Sequence, residues 1–124
     1  MALRSDANIM VVEDDDTFRR VVVQILENGG FKALPCRDFA EAIGVIESSQ
    51  PVDLLLTDIG MPSGTPHGVS IAQMAKARRS RLKLLFMSGS YDAGLIASVI
   101  DGARFLAKPF RPEALLQAVD SALA

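Results

Sequence analysis

The sequence holds one cysteine (Cys36), one histidine (His67), and no run of about 18 apolar residues. A single cysteine cannot close an internal disulfide or build a cysteine-ligated zinc site, and it fits a reducing compartment. Without a long apolar run no segment reads as a membrane span. Met1 to Ala7 carries one positively charged side chain and no apolar stretch, so it does not read as a secretory signal. The expected location is the cytoplasm. An excess of one charge is lacking too: 13 Lys and Arg face 15 Asp and Glu, a formal −2. A dedicated nucleic-acid module has a basic balance, so no direct nucleic-acid partner is expected. The 124 residues fit one domain. A chain of that length buries about two thirds of its unfolded surface and needs no metal or disulfide to fold.

The apolar residues alternate between short runs and helical spacing. Ile9-Met10-Val11-Val12 has the length of a buried strand. Phe18, Val21, Val22, Ile25 and Leu26 then recur on one helix face, which Asn28-Gly29-Gly30 ends. Phe31 to Leu34 reads as a weaker strand, and Asp38 as the cap of a helix through Ala42, Ile43 and Ile46. Val52 to Thr57 is a third strand, with Asp58 at its end. A Gly/Pro-rich loop leads to a helix carrying Ile71, Met74 and Ala75. Leu82 to Met87 is a fourth strand. Asp92 can cap a helix with Leu95, Ile96, Val99 and Ile100, and Arg104 to Ala107 is a fifth strand. Pro112 suits the first position of a last helix with Leu115, Leu116 and Val119 facing inward. Five β-then-α units predict an α/β fold, an open, doubly wound, five-stranded parallel sheet covered by helices on both faces. Such sheets bind ligands outside the carboxyl ends of their strands.

At those ends stand Glu13-Asp14-Asp15-Asp16, Asp58, Ser88 and, after the fifth strand, Lys108. Carboxylates gathered in one site need a cation, or one of them must protonate. Oxygen ligands with open positions suit Mg²⁺ together with phosphate oxygens, and a carboxylate such as Asp58 can act as a nucleophile toward phosphorus. Lys108 and Ser88 would donate to the phosphoryl oxygens.

Four segments in order, Val11-Val12-Glu13-Asp14, Leu55 to Pro62, Met87-Ser88-Gly89 and Lys108-Pro109-Phe110, resemble the receiver domain of two-component response regulators. The resemblance runs from about Asn8 to Leu123 and makes residues 1–124 a single receiver domain. It implies a flavodoxin-like (βα)5 sandwich with strand order 2-1-3-4-5. It makes Asp58 the phosphoacceptor, charged by a histidine kinase or a histidine phosphotransfer domain. Asp14, Asp58 and the backbone carbonyl of Gly60 would ligate Mg²⁺ (or Mn²⁺), with Glu13 acting through a coordinated water. Ser88 would be the switch hydroxyl, Phe105 the switch aromatic and Lys108 the invariant lysine. Phosphorylation would then change the surface of the fourth helix, fifth strand and fifth helix for a downstream protein, an output domain or a second copy of the chain in a phosphorylation-dependent homodimer. Beyond this self-modification, no enzymatic activity is expected. Leu85 to Gly89 and Leu106 to Phe110 faintly resemble receivers attached to hybrid sensor kinases.

The sequence also departs from the family. Pro62 to Gly68 is two residues longer than the usual spacing, with Ser63 to His67 between them. Gly60 offers no side chain to steer a hydrolytic water, and Phe105 lacks the hydroxyl of the commoner tyrosine. Other readings fit less well. A pseudo-receiver would not need the full set of Glu13, Asp14, Asp58, Ser88 and Lys108. A haloacid-dehalogenase-type phosphotransferase expects an Asp at position 60, and a flavin or nucleotide site would not put an all-acidic loop after the first strand. Plainer roles suit other residues. Asp15 and Asp16 read as a solvated helix start with Asp16 as cap, and Asp53 and His67 as surface residues. Lys76, Arg78, Arg79, Arg81 and Lys83 read as a solvated helix end rather than an anion site. Cys36 reads as a small residue at least half-buried.

Overall fold

The computed structural model describes residues 6–59, 68–89, 100 and 102–124. The elements are β1 (Asn8–Val12), α1 (Asp16–Asn28), β2 (Lys32–Cys36), α2 (Phe39–Glu47), β3 (Leu54–Asp58), α3 (Gly68–Arg78), β4 (Lys83–Ser88), β5 (Arg104–Ala107) and α4 (Pro112–Leu123). All strands are parallel, in the order β2-β1-β3-β4-β5. This is the five-stranded parallel sheet that the alternating pattern predicts, in the flavodoxin-like order that the resemblance implies. The helix expected from Asp92 lies outside the described residues, apart from Ile100, which is buried.

Strand alternation divides the core. Ile9, Val11, Leu54, Leu56, Leu85 and Met87 pack on one face with Val22 and Leu26 of α1 and Leu115 and Val119 of α4. Met10, Val12, Leu55, Leu84 and Phe86 pack on the other with Ala42 and Ile46 of α2 and Ile71, Ala72 and Ala75 of α3. Apolar side chains on both faces explain why the strands read as continuous apolar runs. Among the described residues no helix is long and apolar enough to cross a membrane.

Local chemistry sets the element ends. Asn28 closes α1, and Gly30 (φ 94°) makes the left-handed turn into β2 that a side chain would resist. Pro35 lies within β2, where an edge strand tolerates the missing N–H. Asp38 caps α2 by accepting from the Glu41 N–H, as expected.

Four readings need correction. The cap of α1 is Asp15, whose carboxylate accepts from the Phe18 N–H at 2.9 Å, while Asp16 pairs with Arg19 instead. Val21 is exposed, because the buried stripe runs through Val22 and Leu26 and Val21 stands on its flank. Met74 is likewise exposed, with Ile71, Ala72 and Ala75 turned inward. Arg79 is no solvated helix end. Its guanidinium lies across the C-terminus of α2 and donates to the carbonyls of Val45, Ile46, Ser48 and Gln50.

Candidate functional site

Glu13 and Asp58 follow or end the neighbouring strands β1 and β3, so adjacent carboxyl ends bring their carboxylates together. Lys108 directly follows β5 and precedes a cis Lys108–Pro109 peptide, and its N–H donates to the Ser88 carbonyl at 2.8 Å. From there its ammonium reaches Asp58 Oδ2 at 2.6 Å and Glu13 Oε1 at 3.2 Å. Glu13 Oε2 accepts from the Asp15 N–H at 3.1 Å, and the Glu13 N–H donates to the Cys36 carbonyl. Gly68 opens α3 so close to β3 that a Cβ there would stand 1.9 Å from the Asp58 carbonyl oxygen.

The site carries more negative than positive charge. The Glu13 side chain is only 2% exposed and that of Asp58 15%. Burial raises the Glu13 pKa to about 7; the Asp14 and Asp58 carboxyls add to the rise, while the Asp15 N–H and Lys108 oppose it. Burial alone would lower the pKa of Lys108, but the hydrogen bond and charge of Asp58, followed by those of Glu13, outweigh it and hold the ammonium above its ordinary value.

Among the described residues no three acidic, histidine or cysteine side chains are already arranged to hold an ion. Lys108 stands between Glu13 and Asp58. The donor chemistry nevertheless fits a hard divalent cation. Two carboxylates share one ammonium with a third carboxyl, that of Asp14, beside them, and the Asp14 and Asp58 carboxyls add to the rise that burial gives Glu13. One or two carboxylates with waters are enough for Mg²⁺.

The structure therefore joins Glu13, Asp58 and Lys108 directly, with the Asp14 carboxyl against that of Glu13. Ser88 ends β4, half-buried, in register with Ala107. Phe105 is not part of this cluster: it stacks on buried Phe86, with ring centroids 5.6 Å apart and planes at 23°. Gly60 and His67 lie outside the described residues. The sequence reading gave no part in the site to Phe18, whose ring lies under the Lys108 ammonium, or to Arg19, which donates to the Glu13 carbonyl at 2.7 Å. Their i, i+4 and i, i+5 spacing from Asp14 was the only available signal.

Residues 9–120 match the family model for the response regulator receiver domain. The chain is 31% identical over 117 residues to the response regulator receiver protein CpdR of Brucella abortus, covering 93% of this chain and 95% of CpdR. It is 29% identical over 119 residues to the transcriptional regulatory protein FixJ of Azorhizobium caulinodans, covering 93% of this chain but 54% of FixJ. Among solved structures, the receiver domain of the hybrid histidine kinase CckA superposes with a TM-score of 0.78 at 28% identity, over 95% of this chain and all of that one.

Proposed function

The chain belongs to the response regulator receiver domains, and from that premise we propose that Asp58 is its phosphoacceptor. The carrying observation is the Lys108 ammonium 2.6 Å from the Asp58 carboxylate, at the carboxyl end of β3. A histidine kinase or histidine phosphotransfer domain supplies the phosphoryl group. An Asp58 carboxylate oxygen attacks phosphorus, the N–P bond of the donor phosphohistidine breaks, and the departing imidazole nitrogen keeps the electron pair. Lys108 moves from partnering the carboxylate to partnering a phosphoryl oxygen, so positive charge already stands where negative charge accumulates. Ser88 offers its hydroxyl to another phosphoryl oxygen. Glu13, Asp14, Asp58 and the Gly60 carbonyl would hold Mg²⁺ (or Mn²⁺), Glu13 through a water. The ion, when bound, neutralises phosphoryl charge.

Conversion of the Asp58 carboxylate to an acyl phosphate moves the negative charge onto the phosphoryl oxygens and changes the partners of Lys108 and Ser88. Their positions beside β5 bias the surface of the helix expected from Asp92, β5 and α4 toward a downstream partner, an output domain or a second copy, with Phe105 turning inward. The same site would release the phosphoryl group to water. A single domain over residues 1–124, in the cytoplasm, accords with this role. FixJ is nearly twice the length that this chain covers, so the nature of the output belongs to the proposal.

Incubation with Mg²⁺ and acetyl phosphate should add one phosphoryl group, read as +80 Da by mass spectrometry, labile in alkali and lost in Asp58→Asn. No adduct, or an undiminished one in Asp58→Asn, refutes the assignment.

A further inference from the structure

The Lys108 ammonium has a third neighbour besides Asp58 and Glu13. It lies 4.4 Å from the centroid of the Phe18 ring, over the ring face. That ring is itself held from two sides. Phe110 meets it edge-on, with centroids 5.8 Å apart and planes at 62°. The Phe18 N–H is fixed by the Asp15 cap of α1. We propose that Phe18 is a positioning residue for Lys108: its ring face and the two carboxylates hold the ammonium at Asp58. This rests on the reading of Asp58 as phosphoacceptor for its kinetic consequence, though not for its geometry.

An ammonium offers three N–H donors on a flexible four-carbon stem, so two carboxylates alone leave it free to swing outward. A ring face attracts the cation through its quadrupole without offering a lone pair. It therefore restrains the ammonium without competing for the protons that must reach a phosphoryl oxygen. It also covers the half-buried pair from water, which strengthens the attraction of Lys108 to Asp58. An aliphatic side chain of the same bulk would supply the cover but not the quadrupole.

The first measurement needs neither metal nor phosphodonor. In the wild-type protein the ε-methylene protons of Lys108 should resonate upfield of exposed lysines because of the Phe18 ring current, and that shift should vanish in Phe18→Leu. The second is the rate of phosphorylation by phosphoramidate with Mg²⁺. Phe18→Leu, a similar apolar volume without a ring, should slow it about 5- to 10-fold. Phe18→Tyr, which keeps the ring face, should stay within about twofold. Lys108 protons at ordinary positions in the wild type overturn the proposal. So does a Phe18→Leu rate equal to wild type, or a Phe18→Tyr as slow as Phe18→Leu, which would reduce Phe18 to packing. Should Phe18→Leu fail to fold, the wild-type spectrum and the Phe18→Tyr rate still decide. A wild type that accepts no phosphoryl group sinks the phosphoacceptor reading, and the ring-current shift then decides alone whether Phe18 holds Lys108.

Discussion

Among the described residues Arg79 donates four hydrogen bonds to the end of α2, and its removal tests the packing of α3 on α2. Its Nε donates to Ile46 O at 3.2 Å, Nη1 to Gln50 O at 2.6 Å, and Nη2 to Val45 O at 3.0 Å and Ser48 O at 2.8 Å. These bonds do not contribute equally. Val45 O also accepts from the Ser48 N–H and hydroxyl, so it keeps partners without Arg79. The bonds to Gln50 O and Ser48 O are exposed, and water replaces them at a loss of about 0.5 kcal/mol each. Ile46 O is part-buried and would be left wanting, at about 1–2 kcal/mol. A cation at the negative end of α2 adds about 0.3–1 kcal/mol. Arg79→Ala should therefore destabilise by about 3 kcal/mol. With an unfolding entropy near 2 cal/mol/K per residue, a chain of this length should lose about 10 °C in Tm. Arg79→Lys keeps the charge but has one compact donor group where Arg has a planar fork, so it should recover less than half of the loss. Thermal unfolding followed by circular dichroism reads both variants. A loss below about 3 °C for Arg79→Ala, or a lysine as good as the arginine, would refute the reasoning, because the guanidinium would then be decoration on an already satisfied helix end.

Two further outcomes follow from close contacts near the site. Gly68→Ala puts a methyl group where the Asp58 carbonyl oxygen stands and must push α3 off β3; it should cost about 1–3 kcal/mol by urea unfolding and slow phosphorylation of Asp58, and wild-type values in both would show that α3 yields freely. Burial, then the charges of Glu41 and Asp38, push the Cys36 thiol up to about 12. Native protein at pH 8 should therefore react with iodoacetamide about a thousandfold more slowly than urea-unfolded protein, whose cysteine has an ordinary pKa near 8.5. Because the folded pKa is raised, the thiol's contribution to stability is full below the unfolded pKa of about 8.5 and declines as pH rises toward 12, so the urea midpoint should fall between pH 8 and 10 more in wild type than in Cys36→Ala. Equal alkylation rates, or identical pH trends, would count against a buried neutral thiol.

Much of the fold was legible because both periodicities are strong. Fully apolar runs such as Ile9 to Val12 and Leu54 to Leu56 can bury both faces only in a parallel sheet with helices on each side. The acids and the lysine at the strand ends were legible because topology alone places strand ends together. Adjacency in the sheet makes Glu13 and Asp58 neighbours, although 45 residues separate them in the chain. Relations between side chains of different elements were not legible. Val21 and Met74 fit the helical period as well as Val22 and Ala75 do, and only the side that each helix turns to the sheet leaves them outside. Arg79 belongs to a basic run that reads as solvated, because nothing in its own segment announces the end of α2, about 30 residues earlier in the chain.

The acidic run after β1 shows most clearly what one-dimensional reading misses. Four consecutive acids are alike in the sequence, yet the fold gives each a different task. Glu13 points inward to Lys108, and Asp14 lies against it with its residue exposed to solvent. Asp15 turns back to cap α1, and Asp16 pairs with Arg19. The cap is the step that carries the most. If Asp16 capped the helix, α1 would begin one residue later and the Phe18 N–H would lose the carboxylate that fixes it. The choice between Asp15 and Asp16 thus bears on how firmly the first turn of α1, and with it the Phe18 ring, is held beside Lys108. Asp15→Ala should consequently weaken α1 and loosen Lys108 together, whereas Asp16→Ala, which removes only an exposed first-turn acid and its pair with Arg19, should weaken α1 less and leave Lys108 in place.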